Sequence, residues 1–202
     1  MPRPRRSEHT REALITTGIE QLSLHGYHGT GIKQILDAVN VPKGSFYNYF
    51  ASKEAFVAEI LREYSQQYLQ MLDHYLSQSE QTPLDKIKTI YEFMLTQHAS
   101  QDCQRGCLVG SIAAEIGNQS EACQAAMLAS VTFSKSRISD LIQQAQNSQQ
   151  IRNDLTADQI TNTFWATWEG SLLKMKMEGS IDSAKETLYI MLDHLLSPLA
   201  EQ

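Results

Sequence analysis

The chain has 202 residues, 42% of them hydrophobic and 20% charged, enough to bury a sizeable core as one domain or two small ones. No apolar run approaches the roughly 20 residues of a membrane span, and Arg5-Arg6 leads into Ser-Glu-His-Thr-Arg-Glu instead of an apolar signal core, so a cytoplasmic protein is expected. The net charge of −6 divides unevenly: residues 1–62 carry eight Lys and Arg against six Asp and Glu, the remainder nine against seventeen. A basic amino-terminal part with an acidic remainder suits nucleic-acid binding by one face, although a protein with no such partner can share the pattern.

Five prolines and ten glycines are few, and no region sustains the alternation of a strand, so the expected fold class is all-α. Residues 1–9 place Arg3, Arg5 and Arg6 beside two prolines. An arm of this kind suits phosphates or a minor groove, and equally a solvated tail. From Ser7 or Thr10 to His25 the chain reads as a first helix, with Leu14, Gly18 and Leu22 on one face and Gly26 as its C-cap.

The stretch from Thr30 to Phe50 carries the strongest functional signal. Ile32, Ile35, Leu36 and Val39 recur at three and four residues, which predicts a short helix with Thr30 as N-cap. Asn40 tolerates the left-handed conformation of a tight turn, and Pro42 is acceptable where a new helix begins. In that second helix Phe46 and Phe50 are four apart and share an inward face, leaving Lys43, Gly44, Ser45, Tyr47 and Asn48 outward. Lys, Ser and Tyr can meet phosphate oxygens, Asn can meet a base edge, and Gly44 lets the backbone approach a groove. A helical hairpin with a polar outer face is the plainer reading of the same pattern.

Gly26-Tyr27, Thr30, Ala38-Val39-Asn40-Val41, Lys43 through Phe50 and Ser52-Lys53-Glu54-Ala55 closely resemble the DNA-binding domain of TetR-family transcriptional regulators. The resemblance runs without gaps over the first quarter to third of the chain. It departs at Asn40, where Gly is more usual, and at Pro42, where a capping Ser or Thr is more usual. It implies an N-terminal three-helix helix-turn-helix domain (1–51) and a larger helical ligand-binding and dimerisation domain (52–202), about nine helices in all. It also implies a homodimer that binds a palindromic double-stranded DNA operator and is released by a ligand or a chemical modification. Thr10, Thr30, Lys43, Gly44, Ser45, Tyr47, Asn48 and Lys53 are the expected DNA-contacting residues.

Ser52 caps a predicted helix 52–79 that connects the two domains. Further helices are predicted from Thr82-Pro83 to Ser100, Gly106 to Gly117, Ser120 to Ser148, Thr156 to Glu178 and Ile181 to Leu196. By resemblance, 156–197 supplies the dimer interface, with Trp165, Trp168, Leu172, Leu188, Met191, Leu192 and Leu195 as its apolar faces. Tyr68, Phe93, Met94, Met127 and Trp165 are candidates for an effector pocket, or equally for plain core.

Three cysteines without a secretory signal imply reduced thiols, and Cys103 and Cys107, four apart, suit neither an unstrained disulfide within a helix nor a paired metal motif. Gly106-Cys107-Leu108 with Ala113-Ala114-Glu115 resembles the NemR-like branch of cysteine-sensing, electrophile-responsive regulators. A thiol at a helix start has its thiolate favoured by the amides there, and Lys174 or Lys176 is a candidate neighbour. Cys107 as a space-filling core residue, under a repressor induced by a non-covalent apolar ligand, stands beside that reading. No nucleophile elbow, phosphate-cradling loop or metal motif places catalytic residues together, so no enzyme and no cofactor is expected. A helical interaction module without DNA binding would leave Lys43 through Lys53 unexplained.

Overall fold

A computed structural model describes residues 6–77 and 80–199. Its order is α1 (Arg6–Gly29), α2 (Ile32–Ala38), a 3-10 helix (Lys43–Asn48), α3 (Lys53–Ser77), α4 (Pro83–Ala99), α5 (Leu108–Ile116), α6 (Glu121–Asn147), α7 (Ala157–Glu178) and α8 (Asp182–Tyr189), which continues as a π-helix (Ile190–Leu195). No strand occurs among the described residues, in keeping with the all-α expectation. Arg3 and Arg5 of the proposed arm, the side chain of Arg6 and the predicted end of α3 at Ser79 lie outside the described residues.

Local chemistry sets most of these boundaries. The Ser52 hydroxyl accepts the Ala55 amide, Thr82 accepts Asp85, and Thr156 forms a capping box with Gln159. Gly26 breaks the helical conformation of α1 at φ 70, and Asn40 takes φ 54 in the turn after α2. Thr30 is not the N-cap of α2. That position belongs to Gly31, because the Thr30 hydroxyl is already donated to the Gln21 carbonyl at 3.2 Å. The last predicted helix widens at its end, where the Leu196 amide reaches back five residues to the Met191 carbonyl. That wider turn keeps Met191, Leu192 and Leu196 buried together.

Two compact units result. The first holds the residues up to Gln67 together with Cys107–Val131, the second Tyr68–Gly106 and the residues from Thr132 onward. This division differs from the boundary expected after residue 51, because α5 and the front of α6 share a core with α1 and the front of α3. In the first unit Phe46, Phe50 and Phe56 meet at ring separations of 4.5–5.4 Å, with Leu14, Leu22, Ile60 and Ile112 around them. Gly18 permits the close crossing of α1 and α3: a Cβ there would stand 2.4 Å from Ile60 Cδ1.

In the second unit Tyr91 lies edge-on to Phe164 and Trp168, at 4.6 and 4.7 Å. Trp168, Leu172, Leu188, Met191 and Leu192, expected to face a dimer partner, are buried in the chain's own core. α7 and α8 pack on each other through those faces. Leu195 alone of the fully apolar set is well exposed; Leu173, Met177 and Ile190 are exposed as well.

Candidate nucleic-acid interface

The reading head is built on the three-phenylalanine cluster. Phe46, within the short 3-10 helix, and Phe50, two residues past its end, are buried, and the helix turns its other side outward, with Lys43, Gly44, Tyr47 and Asn48 exposed and Ser45 half-buried. Tyr47 is 68% exposed, its ring meeting Phe46 edge-on at 5.4 Å. Gly44 has no neighbour within 4 Å of the position a Cβ would take, so the fold itself does not demand glycine there. Arg11 braces the head from α1, pairing with Glu59 and standing 5.5 Å from the Phe50 ring centre. Thr10 lies half-buried beside it.

Two residues expected on the DNA hold backbone carbonyls of the head. Thr30 is 1% exposed, its hydroxyl tied to Gln21. Lys53 Nζ donates to the carbonyls of Tyr27 at 2.6 Å and Thr30 at 2.7 Å, and sits 4.1 Å from the Tyr27 ring centre. Burial lowers the Lys53 pKa, and the nearby carboxylates of Glu54 and Glu115 partly offset that. Both residues therefore fix the turn between α1 and α2, Thr30 through its buried hydroxyl and the half-buried Lys53 through two of its three N–H donors.

That turn has further anchors. The Tyr27 hydroxyl donates to Glu54 at 2.7 Å, and burial together with this carboxylate raises the Tyr27 pKa. The same bond, with a backbone amide and Ser52, lowers the Glu54 pKa. The Glu115 carboxylate of α5 accepts the amides of Tyr27 at 3.0 Å and His28 at 2.8 Å. In the sequence Glu115 belongs to the Ala113-Ala114-Glu115 resemblance, which attaches no role to it; its other signal is that it is the lone charged residue of a nine-residue helix.

Cys107 is the N-cap of α5, half-buried, its sulfur accepting the Gly110 amide at 3.5 Å. Cys103 is not on a helix; it follows α4 in a left-handed conformation, φ 56, and is buried. Lys174 pairs with Glu178 at 3.6 Å, whereas the Lys176 chain lies close over Gly106. Of the five candidate pocket residues, Tyr68, Phe93, Met94 and Trp165 belong to the second unit and Met127 to the first. A cavity of about 10 Å³ between α7 and α8, room for one water, is bordered by none of them.

A family model described as bacterial regulatory proteins, tetR family, matches residues 14–60, and one described as tetracyclin repressor-like, C-terminal domain, matches 83–191. The chain belongs to the TetR family. Among similar TetR-family proteins, the transcriptional regulator AcuR of Cereibacter sphaeroides is 31% identical over 83% of this chain and 76% of its own length. The HTH-type transcriptional repressor NemR of Escherichia coli K12 is 32% identical over 90% and 92%, which supports the expected NemR-like branch. A regulatory protein TetR from Rhodobacter sphaeroides superposes with a TM-score of 0.85 at 29% identity, covering 92% of this chain and 98% of that one. The reduced form of E. coli NemR gives 0.78 at 31% over 91% and 95%. This TetR-family chain is a DNA-binding transcriptional regulator, not an enzyme. No helix among the described residues is long and apolar enough to cross a membrane.

Proposed function

We propose that this TetR-family repressor binds a palindromic operator as a homodimer, reads it through Lys43, Gly44, Ser45, Tyr47 and Asn48, and lets go when an electrophile or oxidant modifies Cys107. The observation that carries the thiol part is the contrast among the three cysteines. Cys103 and Cys123 are buried, and burial raises the Cys123 pKa, while Cys107 is partly exposed at a helix N-terminus. Negative charge on its sulfur strengthens the contact with the Gly110 amide and is favoured by the helix dipole.

Addition to an electron-poor alkene illustrates the chemistry. The thiol loses its proton to water, the sulfur bonds the β-carbon, and the displaced electron pair leaves the α-carbon to take a proton from solvent. An adduct at an N-cap then displaces the Gly110 contact and presses on Leu108 and Val109, which are buried against the first unit's core.

Operator release by N-ethylmaleimide, followed by gel shift on wild type and Cys107→Ser, tests the reading. The expected result is release of the wild type and retention by the variant. Equal release of both would end the thiol proposal. Release of the variant by an uncharged apolar compound that leaves no adduct would instead assign induction to the non-covalent mode, with Tyr68, Phe93, Met94 and Trp165 as the first residues to substitute.

A further inference from the structure

The Glu115 carboxylate stands where its own helix does not favour it. It occupies the last turn of α5, whose carbonyl end disfavours negative charge. Its two oxygens are divided between two consecutive amides on another helix: Oε1 accepts Tyr27 N–H at 3.0 Å and Oε2 accepts His28 N–H at 2.8 Å. Hydrogen bonds to an ionised acceptor are about twice as strong as neutral ones. The backbone is shaped for this. Gly26 interrupts α1 at φ 70, ψ −173, immediately before the two amides, and a Cβ on Gly26 would fall 1.9 Å from Glu115 Oε1.

The captured residue is the junction of the head. Tyr27 gives its amide to α5, its hydroxyl to Glu54 of α3, and its carbonyl and ring face to Lys53 of α3. Lys53 also holds the Thr30 carbonyl, one residue before the N-cap of α2, and Val41 after α2 bonds back to Leu36 before the 3-10 helix begins. We propose that Glu115 is a positioning residue for DNA reading: by holding two amides of the α1–α2 turn, it makes α5 set where α2 and the Lys43–Asn48 helix stand. The proposal rests on the operator reading for one of its two readouts only.

Amide hydrogen exchange and operator affinity together test it. In Glu115→Gln, one oxygen survives as an acceptor and an NH2 replaces the other, facing an amide donor. The expected result is faster exchange at Tyr27 and His28 with the protection of the Phe46–Phe50–Phe56 core retained, and roughly tenfold weaker operator binding, the equivalent of one lost charged hydrogen bond. Glu115→Ala should exceed both effects. If Glu115→Ala does not fold, Glu115→Gln decides alone. Tyr27→Phe, which removes the Glu54 bond and keeps the amides, should leave His28 exchange unchanged. Unchanged exchange at Tyr27 and His28 in Glu115→Gln overturns the latch. Faster exchange with undiminished operator binding also overturns it, because the latch would then have no bearing on reading. If the wild type binds no operator, it is the operator reading that fails, and the exchange comparison still judges the latch.

Discussion

Gly44 separates what folding requires from what reading requires. A methyl group at this position meets nothing among the described residues within 4 Å, and φ is not in the left-handed range, so the protein's own packing tolerates alanine. Gly44→Ala should leave the melting temperature unchanged or slightly higher, since alanine restricts the unfolded chain. Operator affinity should nevertheless fall roughly tenfold, because a methyl between backbone and groove costs about as much as one good contact. Equal affinity of both proteins in a fluorescence-anisotropy titration would mean that the 3-10 helix does not approach DNA through Gly44. At this scale the sequence was legible where spacing decides orientation. Phe46 and Phe50 face inward because they are four apart, and Asn40 takes φ 54 where a turn residue was expected. It was illegible where the partner is a backbone group. Thr30 and Lys53 were expected on phosphate, and the carbonyls of Gln21, Tyr27 and Thr30 that they hold could not be read from spacing.

From α4 onward the helices begin within two residues and end within one of the expected positions. Capping hydroxyls at Ser52, Thr82 and Thr156 mark helix starts from chemistry local to three or four residues. The segment after α4 has no such marker. There Asp102 and Cys103 adopt φ 52 and φ 56, an uncommon conformation for a cysteine, and the Cys103 amide returns to the His98 carbonyl at 3.0 Å. Burial lowers the pKa of the His98 imidazole, and the Arg105 backbone partly offsets that. A histidine whose folded pKa lies below its unfolded value of about 6.5 contributes stability that is present above that value and lost as pH falls through the lower folded one. The melting temperature should therefore drop as pH goes from 7 to 5, at about 2–4 °C for each kcal/mol lost in a chain of this length. His98→Gln is polar and cannot titrate, so it should flatten that part of the profile. An identical slope in the variant would remove His98 as the cause.

For the whole molecule, the question is which apolar surface is left for a second copy. α7 is apolar on two sides, so its sequence could not tell which side the chain would use itself. The structure commits Phe164, Trp168, Leu172 and Met175 inward, leaving Thr163, Ala166, Gly170, Leu173 and Met177 exposed at alternating steps of three and four. Small residues in the middle of that stripe and large ones at its end suit a close helix–helix crossing, consistent with the dimer face proposed within 156–197. Leu173 is 64% and Met177 77% exposed, so glutamates there disturb no contact of the chain's own core. Leu173→Glu/Met177→Glu should keep its helical circular dichroism and sediment as a monomer. Its operator affinity should fall about 10²-fold or more, since two linked heads bind the second half-site at high effective concentration and a single head does not. Binding to an isolated half-site should be unchanged, which separates lost dimerisation from a damaged head. A variant that still sediments as a dimer would place the interface on another surface, and one that is monomeric yet binds the full operator as tightly as wild type would show that reading does not need two heads.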